Sequence, residues 1–132
     1  MKKLLFILSL CLLITLSGCG SKKPAESSRV VTKIDITCTQ NDVQHLLAYR
    51  QPKKIEAVLN YLRCVKYRGK PESNPEDLPG ELYEITITNS DGTNRIYRQK
   101  ENAYLYRSGS WEKIDPNWGN YLFLLLKLMP GD

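Results

Sequence analysis

Two kinds of periodicity take turns along this chain of 132 residues. From Arg29 to Cys38, Val30, Thr32, Ile34, Ile36 and Cys38 fall on one side, and Val31, Lys33, Asp35 and Thr37 on the other. Such alternation in β-branched residues predicts a strand with one buried face. Gln40, Asn41 and Asp42 make a turn, and Val43 to Arg50 returns as the second strand of a hairpin. The period then changes. Pro52 opens a helix, where a missing N–H removes no hydrogen bond. Ile55, Val58, Leu59, Leu62 and Val65 recur at helical spacing and form its apolar stripe. The stripe ends near Lys66, Gly69 and Pro71 punctuate the stop, and Pro71, Pro75, Pro79 and Gly80 make residues 70–80 a loop.

Alternation resumes at Leu82 to Asn89, with Tyr83, Ile85 and Ile87 opposite Glu84, Thr86 and Thr88. Asp91-Gly92 is a strong hairpin signal, because both central positions of that turn favour positive φ. Arg95 to Gln99 returns, Glu101-Asn102 turns into Ala103 to Arg107, and Ser108-Gly109 leads to a short strand from Trp111 to Ile114. Asp115-Pro116 starts a second helix with a capping carboxylate and a first-turn proline. Tyr121, Leu122, Leu124, Leu125, Leu128 and Met129 give it a wide apolar face, stopped by Pro130-Gly131. Its run is too short for a membrane span, and Lys127 interrupts it. The expected class is α+β: an antiparallel sheet of hairpins, about five or six strands in the order ββα-ββββα, with both helices packed on one face.

The two hairpin segments also resemble each other. Ile36, Thr37, Thr39, Asp42, Tyr49, Arg50 and Gln51 match Ile85, Thr86, Thr88, Asp91, Tyr97, Arg98 and Gln99 with one gap. Either a hairpin unit is duplicated, or two hairpins of one sheet meet the same demands independently.

The first residues have another character. Met1, Lys2 and Lys3 precede a mostly apolar run from Leu4 to Leu16, and Leu16-Ser17-Gly18 leads directly into Cys19. A positive start, a short apolar run and a small-residue end mark an export signal. The four residues resemble the lipobox of bacterial lipoproteins. That resemblance implies cleavage before Cys19, a diacylglyceryl group on its sulfur, and residence at the extracytoplasmic face of the cell membrane. Two acyl chains give stable anchoring where one binds reversibly. The rival readings are an ordinary signal peptide with an incidental cysteine and a cytoplasmic helix. The organisation is then a signal at residues 1–18, a lipidated start and flexible tether at 19–28, and one domain at 29–132. Gly20 to Ser28 holds only small or polar residues, and such a tether reaches roughly 15–18 Å.

Composition narrows the partners. Of 19 basic and 14 acidic residues, Lys2 and Lys3 leave with the signal, so the net charge falls from +5 to +3. This mild excess suits an anionic membrane or wall polymer and lacks the clustering expected of a nucleic-acid binder. Of four cysteines, Cys11 leaves and Cys19 takes lipid. Cys38 and Cys64 could pair in an oxidising compartment. The periodicities argue against it, since Cys38 points to the core and Cys64 lies about half a turn off its helix stripe.

No constellation of catalytic residues stands out. His45 is the only histidine and reads as a surface residue, and the scattered acids include no calcium loop and no fixed carboxylate pair. Neither a cofactor nor a metal is expected. Arg50, Lys53, Lys54, Lys66, Arg68 and Lys70 flank the first helix, as a solvated surface or as a contact to anionic headgroups. Tyr97, Tyr104, Tyr106 and Trp111 gather in the later hairpins and are the candidate ligand-binding residues, against simple cross-strand packing. The domain resembles small uncharacterised lipoproteins of Gram-positive gut anaerobes in its Asp91-Gly92 turn, its Tyr97-Arg98-Gln99 strand and its Leu128-Met129-Pro130-Gly131 end. That resemblance carries no activity. The expectation is a non-enzymatic binding or interaction module, tethered to the membrane and meeting an envelope protein or wall polymer. The alternative is an inhibitor or modulator of a cell-envelope enzyme.

Overall fold

The computed structural model describes residues 30–132. The signal, Cys19 and the tether lie outside the described residues. Within them, the strands are β1 (Val31–Gln40), β2 (Val43–Tyr49), β3 (Tyr67–Gly69), β4 (Leu82–Asn89), β5 (Asn94–Lys100), β6 (Tyr104–Arg107) and β7 (Ser110–Ile114). The helices are α1 (Pro52–Cys64) and α2 (Pro116–Leu128). The strands form one antiparallel sheet in the order β2-β1-β4-β5-β6-β7-β3. The α+β class and the order of hairpins and helices agree with the periodicities.

Three details differ from expectation. A seventh strand, β3, pairs with β7 at the far edge. It is three residues long and irregular in register, too short to show a period, and its support comes from β7. Within the proline-rich loop, Pro75–Asp77 forms a turn of 3-10 helix capped by Asn74, whose Oδ1 accepts from Glu76 N at 3.1 Å. A register shift between Val31 and Lys33 breaks the alternation at the start of β1. Val31 therefore packs on the core, while Thr32 and Val30 are exposed.

The two similar hairpins stand side by side. β1 and β4 pair with Ile36 opposite Ile85, the one matched position that meets its counterpart, because the two strands run antiparallel. The hairpins then differ by two residues in register, since Tyr49 faces Ile34 but Tyr97 faces Ile85. The first turn holds only Asn41 and Asp42, both at positive φ. The second is longer, with Asn89 N donating to Thr93 O at 2.9 Å. A shift of two preserves side-chain parity, so both tyrosines face the helices.

One face of the sheet carries both helices. Ile34, Ile36, Ile85, Ile87, Leu105 and Ile114 meet Ile55, Val58, Tyr61 and Leu62 of α1 and Leu122 and Leu125 of α2 in a single core. Tyr61, absent from the expected stripe, is 1% exposed. α2 approaches the turn between β5 and β6 closely. A Cβ on Gly119 would lie 2.1 Å from Asn102 O, so only glycine fits. Gln99, fully buried, ties the layers together: its Oε1 accepts from the Tyr61 hydroxyl, and its Nε2 donates to Glu101 O at 2.9 Å and Gly119 O at 3.2 Å.

The two residues leading into α1 are held from afar. Gln51 gives no side-chain cap. Instead Asp132 Oδ2 accepts from the N–H groups of Arg50 and Gln51, and Oδ1 meets Lys54 Nζ at 2.8 Å. Asp132 N donates to Ala48 O at 2.9 Å, and the Tyr49 hydroxyl donates to Met129 O at 2.6 Å. Residues 129–132 are thereby fastened to β2 and to the start of α1.

Candidate functional site

The opposite face of the sheet carries neither α1 nor α2, and its side chains follow from strand parity. One cross-strand row runs Leu46, Thr37, Glu84, Arg98, Tyr106, Trp111. The next row holds Leu82, Lys100, Tyr104 and Lys113. Since β3 lies beyond β7 and β4 beyond β5, the chain from Lys70 to Glu81 must cross β7, β6 and β5 to join them. It crosses on this face. Glu72 meets Lys113 Nζ at 3.3 Å, Glu76 meets Arg98 at 3.1 Å, and Pro75 is fully buried beneath it. Lys100 is left only 7% exposed.

Beside this strap lies an aromatic pair. Tyr106 and Trp111 meet edge to face, ring centroids 5.5 Å apart, a geometry that aromatic quadrupoles favour. Arg98 lies over the Tyr106 ring at 5.6 Å. Its Nε reaches Glu84 at 3.3 Å while a terminal nitrogen holds Glu76. With two carboxylates on one guanidinium, the platform presents no spare positive charge. It is an aromatic surface beside an arginine whose charge is already paired.

Of the expected binding residues, Tyr104, Tyr106 and Trp111 share this face, each half-buried. Tyr97 does not join them. It sits on the helix side and packs against the core. Arg98 and Glu84 carry no signal in their residue type, although strand parity places Arg98 on the face opposite Tyr97. Glu76 has no sequence signal either, because its role depends on the strap's path across the sheet.

A second concave feature lies between the helices. A groove of about 610 Å3 is lined by Ala57, Asn60, Tyr61, Cys64, Asn117, Trp118 and Tyr121. Its aromatic rings are in contact, Tyr61 with Tyr121 at 6.4 Å and Trp118 with Tyr121 at 6.2 Å between centroids. Among the described residues, none that lines it is charged.

The titratable groups that stand out in the sequence fall apart in space. Cys38 and Cys64 are both free thiols, Cys38 half-buried on the helix side of β1 and Cys64 exposed at the groove. Burial, with Glu81 and Glu101 nearby, pushes the Cys38 thiol above its ordinary pKa. His45 is exposed on β2. Burial also raises the Tyr83 hydroxyl, which donates to Glu81. At the far edge, Arg107 covers the Tyr67 ring at 3.7 Å and pairs with Glu112 at 3.5 Å. Among the described residues, no group of three or more His, Cys, Asp or Glu side chains could hold a metal ion. No protein-family model matches the chain, and no curated protein or solved structure matches it.

Proposed function

We propose that this chain is an extracytoplasmic lipoprotein, anchored through a diacylglyceryl group on Cys19, and that its domain is a non-enzymatic binding module for an envelope protein. The export pattern running into Leu16-Ser17-Gly18-Cys19 supports the anchor. The binding reading is carried by the Tyr106–Trp111 pair, set edge to face on the side of the sheet opposite α1 and α2. Large rings fixed before binding lose little conformational freedom on association, and such residues dominate interface energy. The neutralised Arg98 directs the choice toward a protein surface over an anionic wall polymer.

Affinity capture from envelope extracts tests this reading. The native protein should retain a defined partner, and Trp111→Ala should weaken capture by about 2 kcal/mol or more, some thirtyfold. Capture that is absent, or untouched by the substitution, refutes it. A second reading, an inhibitor or modulator of an envelope enzyme, is favoured by the strap. Its Glu72, Ser73, Asn74, Glu76 and Asp77 are exposed while Pro75 is clamped on the sheet, so it presents a rigid loop to a cleft.

A further inference from the structure

The second helix carries more apolar surface than the core accepts. Leu122 and Leu125 are buried, but Tyr121, Leu124 and Leu128 are 44%, 48% and 67% exposed. Positions 121, 124 and 128 lie on one line of an α-helix. This line borders the interhelical groove, where Trp118 and Tyr121 form one wall. The charges around it have one dominant sign. Together the two helices carry Lys53, Lys54, Arg63 and Lys127 against a single acid, Glu56. Glu56 pairs with Arg63 at 3.5 Å and Lys54 with Asp132, whereas Lys53 and Lys127 form no ion pair among the described residues.

Exposed leucines, a tryptophan and a tyrosine bordered by lysines are the composition of a helix lying in a bilayer interface. At 13 residues α2 is too short to span, so it would lie along the surface. We propose that the outer side of the α1–α2 layer docks on an anionic lipid surface. Leu124, Leu128 and Tyr121 enter the headgroup boundary, and Lys53 and Lys127 meet lipid phosphates. This inference rests on the lipid anchor proposed above, which keeps the domain within a short tether of the headgroups and makes a weak surface contact effective. Docking this side leaves Tyr106 and Trp111, on the opposite side of the sheet, turned toward the envelope.

The chain's two tryptophans are reporters on opposite sides. The lipidated protein is reconstituted in vesicles of brominated phosphatidylcholine, with or without phosphatidylglycerol, as Trp111→Phe (leaving Trp118) and as Trp118→Phe (leaving Trp111). An interfacial helix sits roughly 5–10 Å into the headgroup boundary, so Trp118 should be quenched about threefold more strongly than Trp111 in anionic vesicles. Near an anionic surface one lysine changes partition about fivefold, so Lys53→Gln and Lys127→Gln should each weaken the quenching. Leu124→Glu with Leu128→Glu should abolish it while the protein still floats with the vesicles and keeps its circular dichroism. Flotation with Trp118 unquenched, or with both tryptophans quenched equally, overturns the docking and leaves the anchor standing. Loss of flotation with Cys19 unmodified by mass overturns the anchor and the docking with it. A Trp118 blue shift that follows protein concentration without lipid assigns the stripe to a second copy of the chain and overturns the lipid assignment.

Discussion

Gln99 is the side chain through which the sheet and both helices share hydrogen bonds, and its removal has a calculable cost. Gln99→Leu keeps the volume but leaves the buried Tyr61 hydroxyl without its acceptor and deprives Glu101 O and Gly119 O of a donor. A buried polar group left unpaired costs about 1–3 kcal/mol. With the carbonyls weakened as well, Gln99→Leu should cost about 2–4 kcal/mol. Tyr61→Phe leaves Gln99 Oε1 without its donor and should cost about 1–2 kcal/mol. In the double variant no polar group of the pair is stranded. Its cost should fall short of the sum of the two singles by about 1–2 kcal/mol. Urea unfolding followed by circular dichroism, with m-values compared between variants, measures all three quantities. Additivity within about 0.5 kcal/mol would refute the shared network, as would a Gln99→Leu variant as stable as the native protein.

Three further expectations test other joints of the fold. Gly119→Ala, which would stabilise an ordinary helix interior by about 1 kcal/mol, should instead destabilise by about 1–3 kcal/mol, because its Cβ meets Asn102 O; a thermal melt reads the sign. The Lys54 ammonium, with the Arg50 and Gln51 amides, holds the Asp132 carboxyl at about 2, below its ordinary 3.8. A lowered folded pKa stabilises above the ordinary value and is lost as pH falls through the folded one. Melting temperatures of the native protein and Asp132→Asn should therefore differ above about pH 4 and converge toward about pH 2; a gap constant with pH would contradict the latch. Cys64 is exposed whereas burial raises the Cys38 thiol. Iodoacetamide should therefore modify Cys64 first, with Cys38 slower by about tenfold or more, as peptide mass mapping would show.

The strands that alternate over several residues are legible in the chain's own pattern, as are both helices with their proline starts. Local periodicity reports which side of an element is apolar, and that suffices for the Ile34, Ile36, Ile85 and Ile87 face. It fails where an element is short or irregular. β3 has three residues and takes its pairing from β7, and the shift at Val31 turns Val30 outward against the alternation. Parity separates the tyrosines once the strands are aligned, so Tyr104 and Tyr106 share a face and Tyr97 parts from them. The strap's role is invisible in the pattern, because it depends on where β3 and β4 stand in the sheet.

Residue order alone carries the α+β class, the hairpin at Asp91-Gly92, the wide apolar face of α2 and the pattern that ends in Cys19. Each is a property of neighbouring residues and their local geometry. Three-dimensional packing settles that Gln99 joins sheet and helices, that Asp132 holds the approach to α1, that Glu76 reaches Arg98, and that Leu124 and Leu128 stay outside the core. Those outcomes depend on distances between residues far apart in the chain, and a one-dimensional pattern of polar and apolar positions carries no such distance.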